Sequence, residues 1–119
     1  MLALTRRVAF AVFAAAAALA TSAQAEKKYD TGATDTEIKM GNIMPYSGPA
    51  SSYGVIGLTE KAFFDMINDQ GGINGRKIKF ITYDDGYSPP KAIEQARKLV
   101  ESDEVLFIFQ SLGTPSNTA

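Results

Sequence analysis

Hydrophobic positions along the chain alternate between two rhythms, short continuous runs and longer stripes at helical spacing. Residues 37–44, EIKMGNIM, form an apolar-rich run stopped by Pro45 and predict a strand. From Tyr53 the spacing changes: Val55, Leu58, Ala62 and Met66, joined by Ile56, Phe63 and Ile67, fall on one predicted helical face, with Glu60, Lys61, Asp65 and Asp69 mostly opposite. Ser51 or Ser52 is placed to cap this helix, and Gly71-Gly72 to close it. GINGRK reads as a tight reversal, and residues 77–83, KIKFITY, as a second strand ending at Asp84-Asp85-Gly86. Pro89-Pro90 opens a second helix with Ala92, Ile93, Ala96, Leu99 and Val100 inward. Residues 105–109, VLFIF, read as a strand buried on both faces, after which QSLGTPSNTA begins to turn into a third helix.

Strands alternating with helices predict an α/β fold, an open parallel sheet built as βαβαβ with right-handed crossovers. Three strands and two helices cannot cover both faces of a sheet whose last strand is wholly apolar. Residues 37–119 are therefore expected to be the N-terminal part of a larger lobe, incomplete in itself, with residues 26–36, polar and aperiodic, as a flexible lead-in.

The opening residues change the picture of where the protein works. Residues 1–25 carry Arg6 and Arg7, an apolar centre from Val8 to Ala20, and an Ala23-Gln24-Ala25 ending, the pattern of a cleaved secretory signal peptide. The uncharged stretch just reaches the length of a spanning helix, so a retained anchor is the competing reading. Cleavage after Ala25 predicts a soluble protein in the periplasm. Removing Arg6 and Arg7 leaves ten basic against thirteen acidic residues, a net charge of -3 without basic clusters, which argues against nucleic acid as a partner. The chain has no Cys, so no disulfide supports it in that oxidising compartment.

Ligands of open parallel sheets bind beyond the carboxyl ends of the strands. That rule marks three loops, residues 45–52, 84–90 and 110–117. In the first and third, Ser47, Ser51, Ser52, Ser111, Thr114 and Ser116 offer hydroxyls, while Gly48 and Gly113 allow close backbone approach. A helix beginning near Pro115 would aim its positive end at the same place, so the surface suits a carboxylate. Tyr46, Tyr53 and Tyr87 are predicted aromatic walls. Turn and cap roles alone also account for Gly, Pro and Ser here.

Asp84-Asp85 admits three readings: a divalent-cation pair, a ribose-binding acid, or a local loop anchor. The ribose reading lacks the G-x-G-x-x-G that should follow the first strand. Absence of His and Cys leaves a Ser nucleophile without its usual base in this part of the chain, so nucleophilic catalysis is not expected here; no enzyme activity is expected, and a binding role calls for no cofactor or metal. An exported α/β enzyme with catalytic residues elsewhere, and the ligand-sensing ectodomain of an anchored receptor, remain as alternatives.

Taken together, SGP, GGINGRKI, YDDG and the P-x-x-A helix start, within IKMGNIMPYSGPASSYG, NDQGGINGRKIKFITYDDG and SPPKAIEQARKLV, resemble the periplasmic leucine/isoleucine/valine-binding proteins of ABC-type transporters. The resemblance implies a two-lobed type I periplasmic binding fold that closes on a small-molecule ligand and delivers it, as a monomer, to an inner-membrane ABC permease. It implies that Tyr53 lies near the ligand and that residues 111–116 donate to the ligand carboxylate. It also implies that the second lobe and the partner of a ligand ammonium lie beyond Ala119. Some relatives tie the second and third loops by a disulfide, at places that fall near Tyr87 and Leu112 here. QSLGTPSNTA departs from the Ser-rich loop of amino-acid binders, so a branched-chain amino acid stands beside amides and aromatic acids as the expected ligand.

Overall fold

The computed structural model describes residues 28–119; the leader expected over residues 1–25 lies outside the described residues. Strand β1 (Glu37–Met44), helix α1 (Gly54–Asp69), strand β2 (Lys77–Asp84), helix α2 (Pro89–Arg97), strand β3 (Phe107–Ile108) and the short helix α3 (Thr114–Asn117) follow in chain order. The three strands form a parallel sheet in the order β2-β1-β3. β1 pairs with β2 from Glu37↔Lys77 to Met44↔Asp84, and with β3 through Met40↔Phe107 and Gly41↔Ile108. Because the first strand is central, the chain leaves it in one direction and returns on the other side. The carboxyl end of β1 is thus the point where strand order reverses and a crevice opens.

Side chains alternate across the sheet. On the α2 face, Ile43, Ala92, Leu99 and Val105 form the buried cluster, with Ile81, Tyr83, Ala96 and Ile108 packed against it. Leu99 belongs to a π-helical turn, Lys98–Ser102, that prolongs α2. On the α1 face, Phe64 meets Phe80 and Phe109 at ring-centre distances of 5.2 and 5.9 Å.

The structure departs from the sequence expectation in four places. Helix α1 is rotated: Gly54 and Gly57 are its buried residues, while Val55, Leu58 and Met66 are 60%, 61% and 46% exposed. The cause is close approach, since a Cβ at Gly57 would collide with the Tyr46 hydroxyl. Ser51 and Ser52 make no side-chain cap; they form a 3-10 turn, Ser51–Tyr53, that runs into α1. Of residues 105–109 only Phe107–Ile108 are strand, and Phe107 is 45% exposed, because β3 has a neighbour on one side only among the described residues. The lead-in is held rather than loose: Ala33 bridges Ile38, Lys39 N–H donates to Gly32 O at 2.8 Å, and Arg76 stacks over Tyr29.

Candidate functional site

Two adjacent acids at the end of β2 hold the three loops together. Successive side chains there point to opposite sides, so Asp84 and Asp85 reach different rims. Asp84 Oδ1 accepts the backbone N–H groups of Tyr46 (2.8 Å), Ser47 (3.1 Å) and Gly86 (2.9 Å), and its Oδ2 accepts the Ser47 hydroxyl at 2.5 Å. Desolvation pushes the Asp84 carboxyl up, but the Ser47 hydroxyl and the Gly86, Ser47 and Tyr46 N–H groups together outweigh it and hold the carboxyl below its usual range. Asp85 is fully buried. Its Oδ1 accepts the Tyr87 N–H at 2.9 Å and its Oδ2 the Ser116 hydroxyl at 2.8 Å. The pair is therefore occupied with loop backbone and hydroxyls, and among the described residues no three His, Cys, Asp or Glu side chains converge to hold a metal ion.

Close packing completes the junction. A Cβ on Gly113, whose φ is 114°, would come 2.8 Å from the Tyr87 ring. The loop after β3 therefore lies directly against the loop after β2 only because residue 113 lacks a side chain. Tyr87 and Gln110 both adopt left-handed φ, 62° and 50°.

The residues singled out from sequence divide into clamps, floor and rim. Ser47 commits its single proton to Asp84, and Ser116 commits its own to Asp85. Tyr46 turns inward, its ring against Gly54 and its hydroxyl 2.6 Å from Thr82 Oγ1, so it belongs to the floor rather than to an outer wall. Tyr53 is 56% exposed at the start of α1. Thr114 is exposed, and its hydroxyl has no hydrogen-bond partner among the described residues. Ser111 lines a cavity of about 360 Å³ with Ile43, Ala92, Ile93, Ile108 and Ser116. Tyr87 and Gly113 meet between the second and third loops.

Sequence reasoning passed over Asn42 and Thr82 and put Glu60 on the outer side of α1; the three form a polar layer between sheet and α1. Asn42 is fully buried and reaches Thr82, Glu60 and the carbonyls of Phe109 and Gln110. The one available sign was a lone Asn inside the apolar run EIKMGNIM, because a buried amide must find partners. Glu60 keeps one oxygen, Oε1, buried without a partner, and desolvation raises its carboxyl above the ordinary value.

Residues 37–119 match the periplasmic binding protein family. The chain is 35% identical over 82 residues to a Leu/Ile/Val-binding protein of Escherichia coli, covering 67% of this chain and 22% of that protein. Among solved structures, a fatty acid ABC transporter substrate-binding protein from Thermomonospora curvata superposes with a TM-score of 0.65 at 31% identity, over 75% of this chain and 23% of that one. A solute-binding protein of an ABC transporter from Rhodopseudomonas palustris, in complex with 3,4-dihydroxy benzoic acid, gives 0.53 at 29% identity, over 60% and 20%. The chain thus spans about a fifth of the length of the relatives it matches.

Proposed function

Because the chain belongs to the periplasmic binding protein family, we propose that it contributes one rim of the solute cleft in an ABC-transporter receptor, a protein that captures a small carboxylate-bearing molecule. The observation that carries this reading is the junction of three loops at the carboxyl edge of the sheet. Asp84 fastens the first loop and Asp85 the third, and Gly113 seats against Tyr87. Thr114 and Ser111 belong to the third loop and exposed Tyr53 follows the first, and their hydroxyls, which the fold itself does not consume, are the groups this reading assigns to the ligand. Neutral hydroxyls and backbone N–H groups suit an anion that must be released again, because they bind it without a permanent ion pair.

The chemistry of the relatives narrows the ligand class. Leucine, isoleucine and valine, a fatty acid and 3,4-dihydroxy benzoic acid differ in their bodies and share a carboxyl group. The carboxylate is the part that this rim would hold, and the body of the ligand is selected by the aromatic wall and by the opposite lobe. Branched-chain amino acids come first, since the relatives at 35% identity bind them. Delivery to an inner-membrane permease, export to the periplasm after cleavage behind Ala25, and action as a monomer without enzymatic turnover complete the proposal.

Isothermal titration of the full-length protein against branched-chain amino acids, medium-chain fatty acids and hydroxybenzoic acids tests it. Saturable binding of at least one acid, lost for the corresponding amide, is the expected result. No heat from any of the three classes contradicts the reading.

A further inference from the structure

The buried amide of Asn42, on β1, meets side chains of β2 and α1 and the backbone that follows β3. Its Nδ2 lies 3.0 Å from Phe109 O, 3.2 Å from Gln110 O and 3.3 Å from Glu60 Oε2. Its Oδ1 accepts the Thr82 hydroxyl at 2.6 Å. Since that hydroxyl has only one proton, the 2.6 Å contact between Thr82 Oγ1 and Tyr46 Oη must be donated by Tyr46. A single directed chain results: Tyr46 to Thr82, Thr82 to Asn42, and from Asn42, whose two Nδ2 protons are shared among three acceptors, to the two carbonyls and the Glu60 carboxylate. It starts in the first loop, crosses β2 and β1, and ends on the backbone where β3 turns into the third loop.

The end of that chain is where positioning is needed. β3 contributes only two ladder residues, Phe107–Ile108, and Gln110 immediately takes a left-handed φ of 50°. Two backbone bonds to β1 flank the turn, Phe109 N–H to Gly41 O at 2.7 Å and Leu112 N–H to Ile43 O at 3.0 Å. Between them the carbonyls of Phe109 and Gln110 point inward, and Asn42 Nδ2 is the side-chain donor that holds them. We infer that Asn42 is a positioning residue: it sets the conformation of residues 109–114, and hence where Ser111 and Thr114 stand, and through Thr82 it ties this rim to Tyr46 under the first loop. The link to ligand affinity rests on the function proposed above. The link to loop geometry does not.

Asn42→Asp separates positioning from general stability. It replaces a donor by an acceptor facing two carbonyls and a carboxylate. Adding Glu60→Gln returns a hydrogen bond between residues 42 and 60 in the reverse sense and removes the like charge, yet an ionised carboxyl gives the Phe109 and Gln110 carbonyls no donor from position 42, so exchange is compared on the alkaline side, where that carboxyl is ionised. In the full-length protein, Asn42→Asp should speed amide hydrogen exchange at Leu112 by about tenfold or more, the scale of one lost hydrogen bond, and lower the melting temperature. Asn42→Asp with Glu60→Gln should recover most of the melting temperature while exchange at Leu112 stays fast and acid binding by titration stays weak. Glu60→Gln alone should leave Leu112 protected. If the double variant restores loop protection together with the melting temperature, or if Leu112 remains protected in it, the inference is overturned. Should Asn42→Asp fail to fold, the comparison of the double variant with Glu60→Gln decides alone. Because the exchange readout involves no ligand, a silent titration panel would count against the proposed function without touching this one.

Discussion

Glu60 and Asp84 are carboxylates whose proton affinity the fold shifts in opposite directions. Burial raises Glu60, so the folded state holds that proton more tightly than the unfolded chain. Its contribution is complete below its ordinary value of 4.5 and is lost as pH rises through the higher folded value. For Asp84 the hydrogen bonds outweigh desolvation and lower the folded value. Its contribution is complete above 3.8 and disappears as pH falls through the lower folded value. The wild-type protein should therefore gain from Glu60 on acidification from neutral pH and begin to lose from Asp84 only below 3.8. Urea unfolding across that range checks both limbs: Glu60→Gln should be more stable than wild type at neutral pH and equal to it at about pH 4. Asp84→Asn should be less stable at neutral pH, with the difference shrinking at the acid end. A wild-type advantage over Glu60→Gln at neutral pH would contradict the burial argument.

At the level of elements, helix α1 shows how far hydrophobic pattern reaches. Its extent and its glycine close were legible: Gly72 N–H returns to Ile67 O at 2.9 Å, and Gly71 and Gly72 take positive φ, as the Gly pair implied. Its rotation was not legible, because the apolar residues exceed what one face can bury. The deciding contacts are Gly57 over Met44 and Tyr46, Glu60 on Asn42, and Phe64 on Phe80, two of which involve residues that a hydrophobic count ignores. The β1 and β2 runs were legible as short stretches rich in Ile, Met and Phe bounded by turn signals, Pro45 after β1 and Asp85-Gly86 after β2. At the third run, backbone turning at Gln110 cut the strand short in a way that composition does not encode. The roles of Asp84 and Asp85 as clamps on separate loops were within reach of the local-anchor reading, though not the partners. Paired substitutions test the rotation: Leu58→Lys, on the exposed face, should change unfolding free energy by no more than about 0.5 kcal/mol. Phe64→Ala, under the helix, should cost about 2 to 4 kcal/mol. Similar losses for both in a denaturant titration would return α1 to the orientation expected from its stripe.

Across the whole molecule, one helix per face leaves apolar surface that the described residues do not cover. Phe63 and Phe107 are 52% and 45% exposed, and they border a cavity of about 530 Å³ with Met40, Phe64 and Phe109 on the α1 side of β3. β3, whose Phe107 lines that cavity, also has no strand on its other edge among the described residues, so one element carries both an open backbone ladder and aromatic surface. Monomeric domains seldom expose such a combination, since edge strands and apolar patches each promote association. The rims at the carboxyl end have the opposite character, their acids and hydroxyls engaged with one another. Association should therefore proceed through the β3 side and leave the loop junction intact. A protein comprising residues 26–119 is expected to sediment as concentration-dependent oligomers at concentrations on the order of 10 μM. Phe63→Lys combined with Phe107→Lys should shift it to monomer without altering exchange at the Tyr87 and Leu112 amides. Monomeric sedimentation of the unsubstituted segment, or loss of protection at Tyr87 on association, would mean that the apolar side and the loop junction are not the independent surfaces described here.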